Sequence, residues 1–154
     1  MADGAETELV ATWLERLAAI ARGELPPPPV ATLVGFRLRS VGTGEAVFEL
    51  EAGPQHANPM GTLHGGILCD LADAAMGVAY ASTLGEAESF ATLELKINFL
   101  RPFWSGSLIA SGRVVSRGRT IGLTECDITD ADGRLIARAS STCMTLGAEA
   151  GRRR

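Results

Sequence analysis

Aromatic side chains are scarce in this chain: five Phe, two Trp and one Tyr make up 5% of 154 residues. With 46% hydrophobic residues overall, the core has to be aliphatic, built from Leu, Ile, Val and Ala. Histidine is scarcer still. His56 and His64 are the only two, and no further Cys or carboxylate stands at ligand spacing, which argues against a metal site. The three cysteines, Cys69, Cys126 and Cys143, sit singly inside apolar segments, with neither a Cys-x-x-Cys pair nor an even framework, and read as reduced core residues. A basic surplus is missing too: a net charge of −4 argues against a nucleic-acid-binding face. No apolar run approaches the roughly 20 residues of a membrane span and no secretory signal opens the chain, so a soluble, cytoplasmic protein is expected. Repeats and low-complexity runs are absent, and the length suits one domain.

What is present is periodicity. Leu9, Val10, Trp13, Leu14, Leu17 and Ile20 recur at helical intervals, predicting an amphipathic helix over Thr7 to Arg22 that Gly23 ends. Pro26 to Pro29 predict a stiff extended spacer up to a first strand that begins near Val34. Alternation of Val34, Phe36 and Leu38, a Gly42-Thr43-Gly44 turn, then alternation of Ala46, Phe48 and Leu50 predict a hairpin. Further strands are expected over Phe90 to Leu100, Ser107 to Ser116, Ile121 to Thr129 and Leu135 to Thr145. In the first of these, Leu93, Leu95, Ile97 and Phe99 share one face while Thr92, Glu94, Lys96 and Asn98 take the other.

Between hairpin and strands lies the segment that carries chemistry. From about Gly65 to Thr83, with Gly85 stopping it, Ile67, Leu71, Ala74, Ala75 and Val78 recur at helical spacing, and Leu68, Ala72, Met76 and Ala79 make the neighbouring faces apolar as well. Such a helix is expected to be wrapped by protein. Asp70 and Asp73 are its only charges, with no Lys or Arg at helical distance, and an unpaired carboxylate in an apolar setting is costly. His64-Gly65-Gly66 puts two residues without side chains at the helix start, where backbone N–H groups are free to polarise a carbonyl and stabilise its oxyanion. Asp73 would then supply an acid or base. One antiparallel sheet curled around one helix is the α+β arrangement this pattern demands.

The run Asn58-Pro-Met-Gly61-Thr-Leu-His64-Gly65-Gly66, then Leu71-Ala-Asp73, then Thr92 leading to Asn98-Phe-Leu-Arg101-Pro102, resembles the hotdog-fold acyl-CoA thioesterases of the phenylacetate-degradation (PaaI) type, over roughly Val34 to Leu146. The resemblance implies a hotdog domain at 31–146, preceded at 1–30 by the helix and proline linker and followed by a disordered tail at 147–154. It implies about six strands around one central helix, with subunits paired as a homodimer, often a homotetramer, and sites at the dimer interface. It implies hydrolysis of an aryl- or medium-chain acyl-CoA to free acid and CoA. Asp73 would be base or nucleophile and Gly65, with Gly66 beside it, the oxyanion site. His64 would orient loop and carbonyl, and Asn58 would hold water or thioester, though Asn before Pro is equally an ordinary turn residue. Thr92 would stand near the acid, on the polar face of its strand, with acid and hydroxyl from one subunit and Asn, His and Gly from the other. Asp70 has no such counterpart and reads as structural.

Arg117, Gly118 and Arg119 fall where relatives bind the nucleotide of CoA, and equally describe a charged surface turn; Arg101 faces phosphate or solvent. Met60, Leu63, Met76, Tyr80 and Phe99 are expected along the acyl pocket. No metal or redox cofactor is implied, CoA being part of the substrate. Two other roles belong to the same fold: a non-catalytic acyl-CoA-binding domain, and an enoyl-CoA hydratase or dehydratase.

Overall fold

The computed structural model describes residues 12–147. Helix α1 spans Trp13–Ala21 and is opened by a capping box, in which the Thr12 hydroxyl accepts from Glu15 N–H and the Glu15 carboxylate accepts from Thr12 N–H. Residues 7–11 of the expected helix lie outside the described residues. Leu17 is buried in the main core, and the Trp13 indole donates to the Glu88 carbonyl at 2.9 Å, so α1 is packed onto the domain.

The proline run departs from expectation at its end. Pro29 opens a second short helix, α2 (Pro29–Val34), instead of continuing an extended spacer, because a fixed φ and a missing N–H suit the first helical position. Val34 is therefore helical. Gly35, at φ 94, ends α2 in the left-handed conformation, and the first strand begins one residue later.

Six strands follow: β1 (Phe36–Gly42), β2 (Glu45–Ala52), β3 (Ser89–Phe99), β4 (Gly106–Arg117), β5 (Ile121–Asp130) and β6 (Leu135–Leu146). They form one antiparallel sheet in the order β1-β2-β4-β5-β6-β3. Helix α3 (Gly65–Ala81) connects β2 to β3, touches all six strands, and lies in the concave face of the curved sheet. This is the hotdog arrangement. Leu68, Leu71, Ala72, Ala75, Met76, Ala79 and Tyr80 fill the space between helix and sheet. The wrapping of α3 is incomplete, however: Asp70 and Asp73 are exposed, and the stripe they occupy is left open by the described residues.

Strand β3 departs from simple alternation. Thr92 pairs with Cys143 and Glu94 with Thr142, so Leu93 is an extra, bulged residue. A bulge reverses which side chains face which side. Phe90 and Thr92 thus share the helix side with Leu95 and Ile97, and Leu93 is thrown outward with half its surface exposed. Thr92 is not on the polar face of its strand.

On the outer face a cross-strand pair joins Arg138 of β6 to Asp127 of β5 through two hydrogen bonds of 2.6 and 3.0 Å. The hydrogen bond from Arg138 holds the Asp127 carboxyl below its ordinary value, against a smaller opposing effect of burial. A lowered carboxyl stabilises the fold above its unfolded pKa and stops doing so as pH falls through the folded one. Arg138→Gln should therefore lose the pair's whole contribution at pH 7, small for so exposed a pair, and move the acid-unfolding midpoint upward by a few tenths of a pH unit. Circular dichroism across pH 2 to 5 measures it.

Candidate active site

The loop before α3 is built around Asn58. Its side-chain oxygen accepts from Met60 N–H (2.9 Å) and Thr62 N–H (3.2 Å), and its amide nitrogen donates to Thr62 Oγ1 at 2.8 Å. Gly61, at φ 86, makes the bend that closes this ring. Asn58 is chiefly the organiser of its own loop, with one amide hydrogen left to face the neighbouring cleft that it lines.

His56 contributes where sequence reasoning saw only an unsuitable metal ligand. Its buried ring accepts from Gly53 N–H at Nδ1 (3.1 Å) and donates from Nε2 to the Val34 carbonyl (2.7 Å), while its own carbonyl accepts from His64 N–H (2.9 Å). The loop is thereby tied at its base to α2. A histidine two residues before the loop asparagine was the only available signal, and it did not distinguish bracing from solvent exposure.

His64 is the N-cap of α3. Its Nδ1 accepts from Gly66 N–H at 2.9 Å, which leaves Nε2 as the protonated nitrogen of a neutral ring, pointing from an exposed side chain. The Gly66 N–H is spent on this cap. Ile67 N–H goes to the His64 carbonyl, and among the described residues no acceptor takes Gly65 N–H. One backbone donor is therefore available at the positive end of the helix. The Phe99 ring covers Gly65 closely: a Cβ built on Gly65 would lie 2.9 Å from its Cζ, so a side chain there requires the half-exposed ring to swing aside.

Gly65 opens onto a cleft of about 360 Å³ lined by Asn58, Leu63, Leu68, Phe99 and Arg101 among others. Its lining is mostly apolar and holds no carboxylate. Asp73 lies elsewhere, in the exposed stripe of α3, where Thr92 Oγ1 donates to its Oδ1 at 3.1 Å. No Lys or Arg pairs with it among the described residues. Asp70 shares the stripe, one turn nearer the helix start, and meets no hydroxyl among the described residues. Eight residues of helix separate Gly65 from Asp73, about 12 Å of axial rise. No single thioester carbon touches both groups of one chain.

The remaining expected residues are dispersed. Met76 and Tyr80 are wholly buried against the sheet, so neither lines an acyl pocket. The Tyr80 hydroxyl is bonded to Thr145 Oγ1 at 2.8 Å, and its ring lies under the Arg117 guanidinium. Arg117 also donates to Thr83 Oγ1 and pairs with Glu88, at the C-terminal end of α3, roughly 25 Å along the helix from Gly65. Gly118 forms the turn, its N–H donating to the Ile121 carbonyl at 2.8 Å, and Arg119 is exposed beside it. Arg101, exposed and without an ion-pair partner among the described residues, borders the cleft. Met60 is fully outside it.

The cysteines are not part of this chemistry. Burial pushes the Cys126 thiol up to about 12, and burial together with the charges of Asp70 and Asp73 raises Cys69. Both stay protonated and unreactive near neutrality.

Comparison with known proteins adds to this geometry. The family model described as the thioesterase superfamily matches residues 60–137, which include the loop glycine, His64-Gly65-Gly66, Asp73, Thr92 and Arg101. A Saccharolobus solfataricus protein provisionally named an esterase is 40% identical over 103 residues, 67% of this chain and 73% of that protein. Human acyl-coenzyme A thioesterase 13 is 30% identical over 107 residues, covering 68% and 76% of the two chains. Among solved structures, the E. coli PaaI protein of the phenylacetic acid degradation operon superposes with a TM-score of 0.77 at 26% identity, covering 87% of this chain and 96% of that one.

Proposed function

The chain belongs to the thioesterase superfamily and is a thioester hydrolase, and from that premise we propose that it hydrolyses acyl-CoA thioesters, of aryl or medium-chain acids, at a site shared by two copies of the chain. The observation that carries the proposal is the separation of Gly65 from Asp73. A free N–H without a nearby acid, and an acid without a nearby oxyanion donor, are two halves of one catalyst. A two-fold pairing that brings the open stripe of α3 against its counterpart supplies each half with the other. Strand β3 favours such a pairing. It is an edge strand of 11 residues with Leu93 and Phe99 exposed, and an unpaired edge of that kind readily joins a second one.

In the shared site the acyl group occupies the cleft beside Phe99 and Leu63, with the thioester carbonyl against Gly65 N–H of one protomer. Asp73 of the partner, oriented by Thr92, takes a proton from water as it attacks the carbonyl carbon, or attacks that carbon itself to form a mixed anhydride that water then hydrolyses to the free acid. The tetrahedral intermediate collapses with cleavage of the C–S bond, and CoA leaves as the thiolate. His64 Nε2–H is a second donor toward the carbonyl. Arg101 meets phosphate at the cleft edge. The Arg117–Arg119 turn, about 13 Å beyond Asp73 along the helix, serves the nucleotide from the partner's side.

Complementation tests the arrangement. Asp73→Asn and Gly65→Pro each remove one half, the latter because proline at the first helical position deletes the N–H and is otherwise compatible with a helix start. Each variant alone should be inactive on benzoyl-, phenylacetyl- and octanoyl-CoA. Co-refolded in equal amounts they should recover about a quarter of wild-type activity, since half of the dimers are mixed and each mixed dimer has one intact site of two. Recovery of nothing would place both groups in one chain's site. Binding of acyl-CoA by the wild type without turnover would favour the non-catalytic role.

A further inference from the structure

We infer that Ser141 is a positioning residue for the acid, holding the bulge in β3 that turns Thr92 toward Asp73. This rests on the thioesterase reading of the site, in which Thr92 orients the reacting carboxylate. Ser141 lies on β6, is 1% exposed, and pairs with Leu95 on one side and Thr124 on the other. Its hydroxyl donates to the Glu94 carbonyl at 2.8 Å, directly after the bulged Leu93. The buried Thr124 hydroxyl in turn donates to the Ser141 carbonyl at 3.2 Å.

An extra residue in one strand disturbs the ladder, and a partly buried carbonyl beside it is stabilised by a donor. Ser141 provides that donor from inside the sheet. Without it, the strand recovers regular pairing most simply by drawing Leu93 back into register, which flips the side chains that precede it. Thr92 would then leave Asp73 for the outer face, where alternation alone puts it. Thr142 also reaches Glu94, but through the Glu94 side chain at 2.9 Å on the exposed face, so it does not hold the backbone.

A double-mutant cycle separates positioning from general stability. Ser141→Ala should lower kcat about tenfold with KM unchanged, while in a Thr92→Val background the same change should cost less than about twofold, because the contact it supports is already gone. Ser141→Cys, keeping a weak donor, should recover part of the loss and serves if the alanine variant does not fold. Thr142→Val should leave kcat unaltered. Three-bond side-chain couplings of Thr92, read by NMR without any turnover, should shift in Ser141→Ala. Equal losses in both backgrounds, no loss at all, or unmoved couplings would overturn the inference. A wild type that hydrolyses no acyl-CoA would remove the thioesterase reading, and the couplings would still decide whether Ser141 sets the Thr92 rotamer.

Discussion

Asp73→Asn should cut kcat for acyl-CoA hydrolysis by about a thousandfold, some 4 kcal/mol of transition-state stabilisation, with KM and the fold retained. Asparagine has the shape of aspartate and still accepts from Thr92 Oγ1 through its amide oxygen, so the surroundings of α3 need not move. What is lost is the ability to take a proton or attack carbon. Because the carboxylate lies outside the cleft beside Gly65, substrate binding should be almost unaffected. Asp70→Asn is the matched control. It removes an equal charge from the same exposed stripe, but Asp70 has no hydroxyl to aim it, and turnover should stay within about twofold of wild type. Free thiol release followed with a thiol reagent reads both variants. More than a tenth of wild-type turnover in Asp73→Asn would remove this residue from the chemistry.

Those two carboxylates also show what the sequence discloses. Helical spacing of apolar residues with two unpaired acids among them was enough to identify α3, and His64-Gly65-Gly66 before it was enough to locate a free backbone donor. Both follow from local rules. The side on which Thr92 sits does not, because the bulge at Leu93 is a property of the pairing between β3 and β6, and Thr-Leu-Glu-Leu contains no glycine or proline to announce it. Alternation puts Thr92 outward; the sheet turns it inward to Asp73.

Met76 and Tyr80 were unreadable for another reason. An apolar side chain looks the same in sequence whether it lines a pocket or fills a core, and here the space between helix and sheet claims both. Arg117 likewise reads as a free cation in a turn, yet a distant Tyr80, Thr83 and Glu88 engage it. Helix α2 was hidden by a proline run whose last member starts a helix. The separation of Gly65 from Asp73 follows from helix geometry alone, whereas a site shared between two copies was implied only by the family resemblance.

The closeness of α3 to the sheet supports the second large effect, expected in stability. Ala46, Gly112, Cys126 and Ala139 form one row across β2, β4, β5 and β6, and small side chains along it let the helix backbone settle directly on the sheet. Gly112 is the point of contact. A Cβ added there would stand 2.4 Å from both the carbonyl carbon and oxygen of Ala75, and 2.9 Å from Met76 N. These are backbone atoms in the middle of a helix, so no rotamer change gives relief, and α3 must lift by about 1 Å from a close-packed core. Gly112→Ala should therefore cost on the order of 3 kcal/mol, lowering Tm by about 10 °C in a domain of this size. Gly133→Ala is the comparison: its φ of 77 strains a side chain, but nothing lies within 4 Å of the added carbon. Its cost should be near 1 kcal/mol. Thermal melts of the two variants give the ranking directly. If Gly112→Ala melts as high as Gly133→Ala, α3 does not rest on this row, and the helix that carries Asp73 lies further from β4 than the fold described here requires.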